Sequence, residues 1–304
     1  PLEVIDRIHA AAKKNKAQIV VTEIGGTVGE YENLLFLEAV RMMKIKHPRD
    51  VALILVSFVP AIGTGGTELK TKPTQHAVRS LNSVGIHPDM ILARAPIPLD
   101  EKRKEKIQFM CSIAPGDVIS APDVKSVYEV PLNFERDHLS DRILRKLALA
   151  PRRSDLRDWG RMVGTMRRTR EEVRIGIVGK YFDTGAFILA DSYLSVIEAI
   201  RHAAYPARQK PVIEWLSAEA FERNPRALRE LGRYHGIIVP GGFGSRGVEG
   251  KISAIRYVRT HRIPYLGLCY GMQLAIVEIL RSVKGYELAH TTEVDRETPH
   301  PVID

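Results

Sequence analysis

Two cysteines in 304 residues cannot build a disulfide framework, and their scarcity fits a reducing compartment, so a cytoplasmic location is expected. No run approaches the roughly 18 apolar residues that a membrane helix needs, and no leading segment has signal-peptide architecture. Aromatics make up 7% of the chain and are not interleaved with its basic residues, which argues against a stacking platform for single-stranded nucleic acid. No internal repeat, low-complexity tract or Gly-x-x-x-x-Gly-Lys-Ser/Thr phosphate loop occurs.

What is present is an ordinary globular composition, 44% apolar and 27% charged, with a net charge of +9. A basic balance suits nucleic acid or small polyanions such as nucleoside triphosphates. Part of the excess is local: segment 151–172 holds seven arginines against four acids, lacks a clean period, and is expected to be a linker with at most a partial helix.

Strand and helix patterns alternate twice. In the first half a helix is expected over 1–15, with Val4, Ile5, Ile8 and Ala11 on one face. Buried strands are expected at 18–21, 51–56, 90–93 and 118–120. Further helices are expected over 31–46, from about Thr74, and over 100–112, the last carrying Cys111 as a core residue. In the second half strands are expected at 173–178, 212–216, 236–239 and 264–268. The fold class is therefore α/β, with two Rossmann-like parallel-sheet domains. Ligand sites in such sheets lie beyond the carboxyl ends of strands, where Glu23, Gly241, Gly242 and Cys269 are expected.

The most informative stretch is Gly267-Leu268-Cys269-Tyr270-Gly271-Met272-Gln273. Glycines two residues either side of a cysteine, between strand and helix, have the spacing of a nucleophile elbow. The helix start behind the sulfur favours a thiolate. Upstream, Pro240-Gly241-Gly242 follows an apolar strand and can present bare N–H groups as an oxyanion hole. A buried structural cysteine is the alternative. In the first half, Glu23 opens a glycine-rich turn, where a carboxylate can hold Mg²⁺ or simply cap the turn. Lys70 and Lys72 can neutralise a triphosphate, with Thr71 and Thr74 adding hydroxyls, or can form a solvated basic loop.

Gly267–Gln273, together with Pro240-Gly241-Gly242-Phe243-Gly244-Ser245-Arg246-Gly247-Val248-Glu249-Gly250-Lys251-Ile252, resembles the glutaminase half of CTP synthase. Glu23-Ile24-Gly25-Gly26-Thr27-Val28-Gly29 and Leu69-Lys70-Thr71-Lys72-Pro73-Thr74-Gln75-His76 resemble its synthetase half. The resemblance implies a synthetase domain over 1–150, a linker over 151–172 and a class I glutamine amidotransferase domain over 173–304, both domains incomplete and the chain an excerpt of a longer one. It implies Cys269 as nucleophile, the Gly242 and Tyr270 N–H groups as oxyanion hole, and Gly242, Gln273 and Glu293 as glutamine-binding residues. Lys70, Thr71, Lys72, Gln75 and Lys106 would bind UTP. Glu30, Tyr31 and Glu32 would lie near the feedback inhibitor CTP, although Gly-Glu-Tyr-Glu here stands where many relatives have Gly-Asp-Ile-Glu. Arg94, Asp123 and Val124 would contact ATP, Glu23 would ligate Mg²⁺, and Lys180 and Arg246 would be linked to activation by GTP.

The implied reaction is ATP-dependent amination of UTP to CTP with ammonia from L-glutamine, in a homotetramer without nucleic-acid or membrane partners. The His-Pro-Glu that supplies the family's base is missing; His300-Pro301-Val302 lacks the acid. Another class I amidotransferase, or a catalytically incomplete nucleotide-binding fragment, are the alternative readings.

Overall fold

The computed structural model describes residues 1–63, 68–151, 155–179, 193–242 and 244–304. Two compact units divide at Gly160/Arg161, and no helix among the described residues is long and apolar enough to cross a membrane.

The first unit opens with α1 (Leu2–Asn15), which buries nothing fully but half-buries Val4, Ile5 and Ile8 on one side. A 3-10 turn, Tyr31–Asn33, leads into α2 (Leu34–Lys46). Then come β1 (Ile54–Phe58), the short antiparallel pair β2 (Ala61–Ile62) and β3 (Glu68–Leu69), and α3 (Lys72–Ser83). The run continues with β4 (Met90–Ala95), α4 (Glu101–Cys111), β5 (Val118–Pro122), α5 (Val130–Arg136) and α6 (Leu139–Lys146). β1, β4 and β5 form a parallel sheet in the order β1-β4-β5. Alternation along β4 serves two cores. Ile91, Ala93 and Ala95 join Val78 of α3 and Ile107 of α4, while Met90 and Leu92 face Leu139 and Phe134. Cys111 is buried in the first of these cores, as expected.

One expected strand is not there. Residues 18–21 pair with no other strand among the described residues, and Ile19, Val20 and Val21 are exposed, Val21 at 93%. A β-strand exists only through the neighbour that takes its main-chain bonds, and apolar residues alone do not supply one. Glu23 therefore does not sit at a strand end.

α7 (Arg157–Arg168) spans the unit boundary, so most of the expected linker is helix. Arginines line it, and Val163 is its one buried residue.

The second unit runs β6 (Glu172–Gly179), α8 (Leu194–Ala204), β7 (Lys210–Ser217), α9 (Ala218–Arg223), a 3-10 segment Pro225–Arg233, and β8 (Gly236–Val239). It continues with α10 (Val248–Thr260), β9 (Tyr265–Gly267), α11 (Tyr270–Ser282), and the pair β10 (Ala289–Thr291) and β11 (His300–Ile303). The sheet is parallel in the order β7-β6-β8-β9. Val178, Ile237 and Val239 of the sheet pack with Phe221 of α9, Ile255 and Val258 of α10, and Leu274 and Val277 of α11. Both units are thus α/β with parallel sheets, as the alternating pattern predicts.

Candidate functional site

Cys269 lies between β9 and α11, with φ 50° and ψ −110°, and its side chain is exposed. That backbone conformation is costly for any residue with a Cβ, and a non-glycine holds it only where the surroundings fix it. Here two glycines do so. A Cβ on Gly267 would come within 2.6 Å of the Gly271 carbonyl carbon, and one on Gly271 within 2.0 Å of the Val239 oxygen. The Leu268 N–H donates to the Val239 carbonyl at 2.9 Å, stitching the turn to β8.

The Pro-Gly-Gly corner stands against the sulfur. A side chain at Gly241 would begin 3.4 Å from Cys269 Cβ and 3.7 Å from its Sγ. Gly242 follows at φ 146°, a conformation that favours glycine. Tyr270 is the first residue of α11, so its N–H has no acceptor within the helix. The Glu293 carboxylate accepts from the Gly244 N–H at 3.0 Å, bringing a third element to the same corner. Gln273, half-buried one turn into α11, donates its main-chain N–H to the Cys269 carbonyl at 3.2 Å.

Four residues of the segment after the corner, Arg246, Glu249, Gly250 and Lys251, make defined contacts. Gly250 lets α10 reach α9, since a Cβ there would meet the Ala218 oxygen at 1.8 Å. Glu249 receives Arg281 Nη1 at 3.0 and 2.9 Å and faces His290 Nε2 at 3.7 Å. Lys251, 2% exposed, places its Nζ 5.5 Å from the centre of the Tyr270 ring. Burial, then the carboxylates of Glu293 and Glu249, push the Tyr270 phenol up to about 12. Arg246 gives its Nη2 to Glu219 Oε2 at 3.0 Å. Lys180, named with it, lies outside the described residues.

The first unit carries two clefts of opposite charge. One, about 740 Å³, is lined by Lys70, Thr71, Lys72 and Lys106, as the sequence led us to expect, and also by Lys102 and Arg103, which it had not singled out. Lys72 is the first residue of α3 rather than part of a loop, and Lys102, Arg103 and Lys106 are on α4. One acid shares this cleft: Glu68 takes the Lys70 ammonium, which holds its carboxyl below the ordinary range. Gln75 is buried behind the cleft, donating to Thr71 Oγ1 at 3.1 Å.

The other cleft, about 700 Å³, brings together Glu23, Glu30 and Glu32 with Asn33 and Phe36. Tyr31 is not part of it and is 86% exposed. Arg94 and Asp123, at the carboxyl ends of β4 and β5, form an ion pair at 2.9 Å with half-buried Val124 beside them. Among the described residues no group of three His, Cys, Asp or Glu is placed to hold a metal.

Two family models match the chain, one in each half. Residues 2–149 match the model of the CTP synthase N-terminus, and residues 188–304 that of class-I glutamine amidotransferases. CTP synthase of Caldanaerobacter subterraneus is 45% identical over 99% of this chain and 55% of its own length. That of Pyrococcus furiosus is 47% identical over 99% and 55%. That of a Synechococcus strain is 46% identical over 99% and 54%. The chain thus spans about half the length of the curated relatives it matches. A solved glutaminase domain of Trypanosoma brucei CTPS with bound acivicin is 37% identical, covering 42% of this chain and 48% of that one at a TM-score of 0.39. With both models matched in order and 45–47% identity to the curated relatives sustained over 99% of its residues, the chain belongs to the CTP synthase family.

Proposed function

We propose that this chain carries the glutamine-cleaving nucleophile and part of the nucleotide site of an enzyme that converts UTP to CTP at the expense of ATP and L-glutamine. The carrying observation is the exposed Cys269, held at φ 50° with Gly241 against its sulfur. The sulfur attacks the side-chain amide carbon of glutamine. The oxygen that gains charge is received by the Gly242 and Tyr270 N–H groups, fixed beforehand at no cost during reaction. Ammonia leaves, and water hydrolyses the thioester to glutamate. Gln273 and Glu293 hold the substrate, and the Glu293–Gly244 bond fixes that carboxylate at the corner.

In the first unit, Lys70, Thr71, Lys72, Gln75 and Lys106 hold the UTP phosphates, and the cluster of cations in one cleft supports this. Arg94, Asp123 and Val124 contact ATP, whose γ-phosphate is transferred to the uracil O4. Ammonia then displaces that phosphate. Glu30 and Glu32 border the place of CTP as feedback inhibitor, with Tyr31 beside them at the surface. Magnesium takes one or two carboxylates and shares its other positions between phosphate and water, so the single carboxylate of Glu23 fits such an ion. Bound there, Mg²⁺ would neutralise phosphate charge. Arg246 and Lys180 belong to the response to GTP. The working form is a cytoplasmic homotetramer.

A glutamine-analogue electrophile should label Cys269 stoichiometrically and leave Cys269→Ala unlabelled. Absence of glutamine-dependent CTP formation from UTP and ATP by the protein, assayed with GTP present, would sink the reading.

A further inference from the structure

Glu293 meets the Gly244 N–H from an exposed turn, so its place depends on what holds that turn. The buried end of β10 does so. Thr291, 1% exposed, accepts the Glu293 N–H at its Oγ1 at 3.1 Å, and its carbonyl accepts the Val294 and Asp295 N–H groups, both at 3.1 Å. Thr291 is itself held by His290, whose Nδ1 accepts the Thr291 N–H at 2.8 Å. A chain of bonds therefore runs from a buried imidazole through Thr291 and Glu293 to the corner beside Cys269.

That chain requires a neutral ring. An Nδ1 that accepts carries no proton, so the ring hydrogen is on Nε2. A second proton would go to Nδ1 and set donor against donor at the Thr291 N–H. Three charged groups face the ring, which is 7% exposed. Glu249 of α10 stands 3.7 Å from Nε2, too far for a hydrogen bond, and is engaged by Arg281 of α11. Arg281 also gives its Nε to the Ala289 carbonyl at 2.7 Å, one residue from the ring. Asp295 approaches from the turn, and β11 sets Pro301 opposite. Burial and Arg281 outweigh the two carboxylates, so the ring takes its proton only below the ordinary histidine range.

We propose that His290 is a positioning residue for glutamine: its neutral ring fixes, through Thr291, the turn that carries Glu293, and its protonation releases that turn and weakens capture of the substrate. The inference rests on the reading of Cys269 and Glu293 as parts of a glutamine site. The effect falls on binding rather than on the thiol, because the chain of bonds ends at Glu293 and Gly244.

The test is alkylation of Cys269 in the full chain by a chloroketone analogue of L-glutamine and, separately, by chloroacetone. Both report the thiolate, and only the first needs the amino-acid pocket, so the ratio of their rates cancels ionisation of the sulfur. Circular dichroism at each pH confirms that the protein is folded. In wild type the ratio should fall about fivefold from pH 7 to about pH 5, the loss of one hydrogen bond. In His290→Asn, whose Oδ1 accepts the Thr291 N–H and does not titrate, it should stay at the higher value throughout. In His290→Ala it should be low at both pH values. A flat ratio in wild type, an equal fall in His290→Asn, or a wild-type profile in His290→Ala overturns the proposal. Should the alanine variant not fold, wild type against His290→Asn decides alone. A glutamine chloroketone no faster than chloroacetone on wild type at pH 7 overturns the glutamine-site reading first, and the proposal with it.

Discussion

Gly271 stands against the main-chain carbonyl of Val239, so close that a Cβ on it would lie 2.0 Å from that oxygen. Helix α11 can begin beside strand β8 only because position 271 has no side chain. Gly271→Ala should therefore cost at least ~3 kcal/mol, since neither backbone can yield alone. Gly285→Ala is the control. Its φ is 80° but nothing lies within 4 Å, so the penalty is conformational, about 1 kcal/mol. Urea denaturation of the two variants checks the contrast.

The backbone of Cys269 gives an opposite sign. At φ 50° and ψ −110° any Cβ is strained, and glycine is not. Cys269→Gly should be more stable than Cys269→Ala by about 1 kcal/mol, although both lose the thiol. Thermal melts of the pair measure this, and equal midpoints would show that the turn is relaxed.

Arg259 and Glu278 join α10 to α11 through two bonds, at 2.7 and 2.8 Å. The two ends differ: the Glu278 side chain is 1% exposed, the Arg259 side chain 37%. Removing the arginine strands a carboxylate in the core, whereas removing the carboxylate frees an arginine that reaches water. Arg259→Met should cost about 3 kcal/mol and Glu278→Gln clearly less. Denaturant midpoints of both variants decide it.

His290 makes the second unit sensitive to mild acid. Burial, then the nearby Arg281 cation, lowers its pKa below 6.5, and the attraction of Glu249 only partly offsets this. Its Nδ1 accepts the Thr291 N–H at 2.8 Å, a bond that protonation at Nδ1 would break. A base whose pKa is depressed by folding adds stability that is complete above about pH 6.5 and lost as pH falls toward the lowered value. The melting temperature should drop between pH 7 and pH 5, less so in His290→Gln.

Lys102 extends the basic cleft beyond the residues named from the sequence. Lys102→Ala and Lys106→Ala should each weaken triphosphate binding roughly fivefold at low salt, and less at high salt, where exposed charges are screened. Calorimetry at two ionic strengths checks both.

Much of this was written in local pattern. The alternation along Met90–Ala95, the glycines flanking Cys269 and the helix carrying Cys111 need only neighbours within a few residues, and the structure agrees with them. Lys102 was within reach too: it precedes Lys106 by four residues on α4, so both fall on one side of the helix. What failed was non-local. Ile19-Val20-Val21 has the composition of a strand, but pairing depends on a neighbour that composition does not name. Glu293 and Gly244 meet across 49 residues.

The division of the two thiols has a chemical consequence. Cys111 is closed within the core of the first unit, and burial pushes its thiol pKa up, so it is a poor thiolate. Cys269 is open to solvent. An oxidant that turns the exposed sulfur into a sulfenic acid finds no resolving thiol ready among these 304 residues. Recovery then falls to a small external thiol such as glutathione, and under sustained peroxide the sulfur moves on to the sulfinic state, from which ordinary reductants do not return it.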